Sequence, residues 1–344
     1  MRDERPTRGW LGRGSDALAS PVARSLVPLA VVLLLGSVFH QQGAFYAWDT
    51  HRAMLREISV HGILACGMTV VMITAGIDLS VGSLLALCAV SFALFTMPLG
   101  WGAAVAIAAT LALGTAAGAC SGALTARYRI QPFIVTLAMM VFARGLAKQL
   151  SGGKKVTTYV VDPDGTSRLV DLPAVFSAID TKVLGDNLSI VTIIFGGCAL
   201  LTWVLLSKLR IGRYLYAVGG NAEAARLSGV PVRRTLVLAY AFCGLCAAIA
   251  GICQAAQETH GDPETGMGYE LDAIAMVVLG GTSLMGGRGG IGLTLVGALT
   301  LGYLQKVLSL NAFSTETRLM LTGAIIIAAV LFQRRFSASR GDTV

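Results

Sequence analysis

The chain of 344 residues is 55% hydrophobic and only 13% charged, with a mean hydropathy of +0.70. Soluble domains carry about 25% charged residues, so this composition excludes an ordinary cytosolic enzyme, a disordered tail and a disulfide scaffold. What remains is a polytopic membrane protein, in which the formal charge of +8 reads as Lys and Arg gathered in cytoplasmic loops rather than as a nucleic-acid surface.

A basic leader with Arg2, Arg5, Arg8 and Arg13 precedes an apolar run from Leu26 to Phe39. No small-x-small cleavage site follows, so the run is expected to stay as a first span rather than leave as a signal peptide. Further runs fall at Ile58–Ala75, Ser80–Thr96, Ala103–Ala126, Phe133–Leu146, Ile190–Leu206, Leu236–Ala256, Leu271–Leu284, Gly292–Leu308 and Leu319–Phe332. A crossing takes about 20 apolar residues, so the expected fold is all-α with about ten transmembrane helices, several short enough to be partial or re-entrant. The prolines, Pro28 among them, are expected in tails, loops or the first turn of a run, where a missing N–H costs least.

Basic residues set the orientation. Arg127 and Arg129 mark one loop, Lys208, Arg210, Arg213, Arg226, Arg233 and Arg234 crowd another, and Arg334, Arg335 and Arg340 close the chain. With both termini cytoplasmic, a ten-span arrangement places all three groups inside. The expected division is a basic tail over 1–25, a transmembrane domain over 26–333 and a cytoplasmic tail over 334–344. Within it lie an outward loop over 148–187 and a cytoplasmic loop over 207–234.

Small residues and cysteines read as packing. Gly114, Gly118 and Gly122 form a stripe at i, i+4, i+8 that lets helices approach closely. Cys243 and Cys246 satisfy C-x-x-C, but on an apolar helix they behave as small hydrophobes, and none of the seven cysteines sits in a polar loop.

The apolar runs are almost free of ionisable residues, the main exception being Asp78 in Thr74-Ala75-Gly76-Ile77-Asp78-Leu79-Ser80. Asp78 is either a proton-coupling carboxylate or, the preferred reading, part of a helix break at Gly76 and a restart capped by Asp78 or Ser80. A second glycine cluster, Gly280 to Gly292, contains Thr282 and Ser283 and formally satisfies G-x-G-x-x-G. Apolar helical runs flank it on both sides, so it is not a dinucleotide fingerprint. Gly76, Asp78, Ser80, Thr282 and Ser283 are the candidates for a translocation path or helix break. His40, His51, His61 and His260 are too scattered for a metal site and read as surface or interfacial. With no phosphate-binding loop and no catalytic cluster, no cofactor or metal is expected on this chain.

The loop over 207–234 contains a short polar helix. Asn221 suits the N-cap, Glu223 and Ala224 the first turn and Arg226 the last, with Ser228 and Gly229 at the terminus. Such a helix is either an interfacial linker or a docking surface for a cytoplasmic partner.

With these residues in view, the chain resembles permease subunits of bacterial ATP-binding-cassette importers of the ribose, xylose and galactose group. Gly62 to Thr69 leading into Gly76-Ile77-Asp78-Leu79-Ser80-Val81-Gly82-Ser83 carries the resemblance, with Gln131 to Leu137, Arg144 to Ala147, Gly220 to Pro231 and Gly281 to Gly290. It departs at Cys243-Gly244, where family members often carry Ser-Gly, and at Phe332-Gln333, where an Asp is frequent. The resemblance implies a bacterial inner-membrane protein that passes a monosaccharide and is not itself an enzyme. It implies cytoplasmic ATPase subunits that hold ATP and Mg, a periplasmic sugar-binding protein and a second permease subunit. It also marks Asn221 to Gly229 as the coupling helix. The alternatives are a permease for branched-chain amino acids and an ion-coupled secondary carrier.

Overall fold

A chain segment in hydrocarbon must satisfy its own backbone N–H and C=O groups, and a helix does so within one segment. The computed structural model of the chain describes residues 21–161, 166–314, 316–324 and 327. Its first helices are α1 (Pro21–Val38), α2 (Trp48–Ile73), α3 (Val81–Thr96), α4 (Ala103–Tyr128), α5 (Pro132–Ser151) and α6 (Ala174–Asp180). They are followed by α7 (Ile190–Ser207), α8 (Arg210–Gly220), α9 (Ala222–Leu227), α10 (Val232–Glu258), α11 (Tyr269–Leu279) and α12 (Ile291–Leu310). Two small antiparallel pairs, β1 (Tyr159–Val161) with β2 (Ser167–Leu169) and β3 (Lys182–Val183) with β4 (Leu188–Ser189), lie either side of α6.

Among the described residues six helices, α2, α4, α5, α7, α10 and α12, are long and apolar enough to cross a membrane. The fold is thus the all-α, polytopic one expected. Several boundaries shift. Helix α2 starts at Trp48 rather than Ile58, because the polar segment carrying Asp49, Arg52, Arg56 and Glu57 is helical too. Helix α11 has 11 residues, about 16 Å of rise and half a crossing, so the run Leu271–Leu284 is a half-helix followed by a loop. Pro28 lies inside α1 and not in its first turn, since the helix is already formed at Pro21, ahead of the apolar run. The expected outward loop is largely structured: α5 runs on to Ser151, and Phe176 of α6 is buried against Phe92, ring centroids 5.1 Å apart. Half of the run Leu319–Phe332, most of the basic tail and all of the tail over 334–344 lie outside the described residues.

Contacts sort the connections into two ends. At one end Arg52 reaches the Asp186 carbonyl (3.0 Å), Trp48 Nε1 donates to Asn187 (2.6 Å), Arg168 donates to the Pro98 carbonyl (3.1 Å) and Lys148 pairs with Glu264 (2.7 Å). At the opposite end the turn after α2 meets α8 and the second glycine cluster. The two ends carry the loops that the charge pattern assigns to outside and inside.

Helix α10 is the central post, packed on α2, α3 and α4. The glycine stripe of α4 explains its closest partner. A Cβ on Gly118 would lie 2.2 Å from the Tyr240 carbonyl oxygen, and one on Gly114 2.6 Å from that of Gly244. Gly67 of α2 sits as tightly on Cys243, whose thiol is buried and free, as is that of Cys246. Both expectations, a stripe for packing within the chain and cysteines as small hydrophobes, describe these contacts. Gly118→Val is expected to force α4 from α10 at a cost of about 1–3 kcal/mol, read as a clear fall in Tm of the detergent-solubilised protein. Gly145→Ala meets nothing within 4 Å and is expected to leave Tm unchanged.

Candidate functional site

The broken helix comes first. Helix α2 stops at Ile73, and the chain turns at Ala75, whose φ is 61°. Gly76 is not the residue with the left-handed backbone; it is small because a Cβ there would come within 2.4 Å of the Tyr240 hydroxyl. Fully buried Asp78 then organises the restart. Its Oδ1 accepts from the Ser80 backbone N–H (2.9 Å) and from the Ser80 hydroxyl (2.5 Å). Of the two expected caps it is thus Asp78 whose side chain accepts a freed backbone N–H, while Ser80 holds the N-cap position of α3 and its hydroxyl is spent on Asp78.

The second glycine cluster links α11 to α12 as a loop between helices, and no strand precedes it. Thr282 closes it: its buried hydroxyl accepts from the Gly290 N–H (3.4 Å), while the Ser283 N–H donates to the Arg288 carbonyl (3.0 Å). This loop docks on the first break. The Gly287 N–H donates to the Ile73 carbonyl (2.9 Å), and a Cβ on Gly286 would stand 2.7 Å from that of Ala75.

The polar helix completes the junction. In the last turn of its predecessor α8 lies Gly219, where a Cβ would fall 1.7 Å from the Ile73 carbonyl oxygen, and Tyr216 donates to the Gly289 carbonyl (2.9 Å). The chain then enters α9. The Asn221 side chain accepts from the N–H groups of Glu223 (3.0 Å) and Ala224 (2.9 Å), as an N-cap should. Glu223 and Arg226 pair along the helix (3.0 Å from Nε), and the Arg226 guanidinium holds the Glu223 carboxyl below its usual range. The Ser228 N–H closes on the Ala224 carbonyl (3.0 Å), and Gly229 ends the helix at a φ of 82°. Asn221, Glu223, Ala224, Arg226, Ser228 and Gly229 are all exposed, and only Ala225 turns inward. A cavity of about 650 Å³ separates this helix from the break, lined by Thr74, Gly76, Arg129, Asn221, Glu223 and Tyr240 among others.

Three features that looked separate in sequence thus share one end of the molecule. Asp78, Ser80 and Thr282 do not line that cavity; they brace the segments around it.

The outer half holds residues that sequence reasoning missed. Arg144 of α5 donates to the carbonyls of Pro263 (2.5 Å) and Thr265 (2.7 Å), pinning the segment that leads into α11. That segment enters deep enough for a Cβ on Gly82 to lie 2.2 Å from the Gly266 carbonyl oxygen. His61 stands half-way along α2, its Nε2 3.5 Å from the Asp272 carboxylate and its ring 4.1 Å from that of Tyr269. Nor is this region free of charge, since Arg56 pairs with Asp180 and Lys306 with Glu57 (3.1 Å). The signal was a four-residue spacing, Glu57 to His61, hidden by starting the span at Ile58.

Residues 52–330 match the family described as "Branched-chain amino acid transport system / permease component". The chain is 41% identical over 314 residues to the ribose import permease protein of Escherichia coli K12, covering 91% of this chain and 93% of that one. It is 35% identical over 319 residues to the galactofuranose transporter permease protein of the same strain, covering 90% and 88%. Against the fructose import permease protein of Rhizobium meliloti it is 33% identical over 319 residues, covering 91% and 85%. No solved structure matches the chain.

Asn221→Ala is expected to remove the N-cap at a cost of about 1 kcal/mol. Hydrogen exchange at the Glu223 and Ala224 amides should quicken about fivefold, while amides in α10 stay as protected as before.

Proposed function

The chain belongs to the branched-chain amino acid transport system / permease component family, and from that premise we propose that it forms the translocation path for a monosaccharide in an ATP-binding-cassette importer of the bacterial inner membrane. The observation that carries the substrate class is the 41% identity, over nine-tenths of both chains, to a ribose import permease. Permeases named for galactofuranose and fructose stand next to it. The family description mentions branched-chain amino acids, but those relatives are named for sugars, so a sugar is the better reading.

The work is divided among several chains. Cytoplasmic ATPase subunits bind ATP and Mg, a periplasmic binding protein delivers the sugar, and a second permease subunit, a copy or a paralogue, completes the path. This chain is a transporter subunit and not an enzyme. Helix α9, with Asn221, Glu223, Ala224, Arg226, Ser228 and Gly229, is the coupling helix that seats on the ATPase. Its exposure supports this: five of its six residues are open, four of them polar or small and the fifth Leu227, and the helix is capped at both ends, with Ala225 alone turned inward.

Alternating access then follows from the junction. When the ATPases close on ATP, α9 moves with them and carries α8 and Gly219 along. Gly219 bears on the Ile73 carbonyl and on Gly287, so both broken segments shift with it. Of Gly76, Asp78, Ser80, Thr282 and Ser283, Gly76 faces the inner cavity, while Asp78, Ser80 and Thr282 keep the surrounding turns folded as the whole inner end moves. A neutral, hydroxyl-rich solute suits a path closed by such turns, because backbone and hydroxyl groups hold it weakly and release it.

Two substitutions test the coupling role in vesicles reconstituted with the partner ATPase and binding protein. Glu223→Lys reverses the charge on the rim, and Gly229→Val places a β-branched residue where φ is 82°. Both are expected to cut ATP-driven sugar uptake at least tenfold while the protein remains in the membrane. Normal uptake by both variants contradicts the docking role.

A further inference from the structure

The outer half of α2 presents one polar face. Asp49, Arg52 and Arg56 lie three and four residues apart on one line of the helix, and Glu57 and His61 lie four apart on the adjoining line. The first four line an outer cavity of about 490 Å³, together with Asp180, Lys182 and Asn187. Every one of the five is at least partly open, and from Gly62 to Ile73 every residue of α2 is buried. The open polar face therefore begins at the outer end and stops at His61.

Helix α2 spans about 39 Å, longer than a hydrocarbon core of about 30 Å, and its charged residues from Asp49 to Glu57 occupy the outer turns, so His61 stands one turn inward of the last of them. The Glu57 side chain is 63% exposed and that of Asp272 27%. Ionisable groups within a span face water or protein rather than lipid. At the foot of the track Asp272 offers a carboxylate, His61 an imidazole, and Tyr269 both a phenol and a ring whose centroid lies 4.1 Å from that of the imidazole, tilted by 38°. A carboxylate accepts from vicinal hydroxyls, and an aromatic surface covers the C–H face of a sugar ring. Tyr269 and Asp272 sit at the start of the half-helix α11, which ends at the loop docked on the inner junction, and His61 faces them from α2.

We infer that the outer face of α2 is the wall of the water-filled entry path and that His61, Tyr269 and Asp272 form a monosaccharide subsite at its foot. This inference rests on the sugar-permease reading above. Sugar released into the outer cavity descends past Arg56 and Glu57 to the subsite. Motion of the inner junction reaches it through α11.

Leu271 is exposed beside Asp272 and reports on the wall without belonging to the subsite. In a Cys120→Ser background, Leu271→Cys in reconstituted vesicles is treated from outside with a charged, membrane-impermeant thiol reagent. Rapid labelling is expected, slowed at least threefold by D-ribose with its binding protein; an unreactive thiol overturns the assignment of this face to the path. In parallel, Tyr269→Leu and Asp272→Asn are each expected to lower D-ribose carried per ATP hydrolysed at least fivefold while binding-protein-stimulated hydrolysis persists. Unchanged stoichiometry in both variants overturns the subsite and leaves the sugar-permease reading standing. An unsubstituted complex that ignores D-ribose, D-galactose, D-fructose and L-arabinose alike contradicts that reading, and the subsite with it.

Discussion

Backbone must touch backbone at the inner end of this molecule, and the architecture depends on that closeness. The Ile73 carbonyl accepts from the Gly287 N–H, while Gly219 packs against the same oxygen with no room for a methyl group. Three segments from distant parts of the sequence are thereby joined through peptide groups rather than through long side chains. Interlocked backbone of this kind is stiff, since no rotamer change absorbs a displacement. A small polar helix attached to such a junction moves the ends of two broken helices together, which a flexible linker would not.

The rest of the fold serves to hold that junction and leave the other end open. Helix α10 is clamped by the glycine stripe of α4 and by Gly67 of α2, so the centre of the bundle is dense. At the outer end the contacts are of another kind: Arg52, Arg56, Arg144, Lys148 and Lys306 pair with carboxylates or carbonyls. Partly hydrated ion pairs exchange more readily than packed backbone. The molecule thus has one end locked by packed backbone and another held by polar side chains, which suits the division of roles proposed above.

Much of this was legible in the residues. Apolar runs located nearly every long helix, because hydrocarbon demands them. The capped helix over Asn221 to Gly229 was readable because N-caps and glycine terminators are local chemistry, and Asn221 does accept from Glu223 and Ala224. What sequence could not show was convergence. Nothing in Gly219, Gly287 or Ile73 says that they meet, since a missing Cβ records closeness without naming the partner. The start of α2 was misjudged for a related reason: the first long apolar stretch put it at Ile58, whereas the helix begins at Trp48 and leaves His61 half-way along its length. Pro28 was placed too early in its helix through the same bias toward apolar residues as boundaries.

The central claim is that the polar helix and the second glycine loop move as one body. Spin labels at Leu227 of α9 and Leu284 of the loop, both exposed, report on it directly in the complete transporter. Their separation should form one narrow distribution that is the same without nucleotide and with ATP trapped, while either label shifts relative to Leu99 at the outer end. A Leu227–Leu284 distance that changes between the two states, with the loop staying in place, would contradict the account.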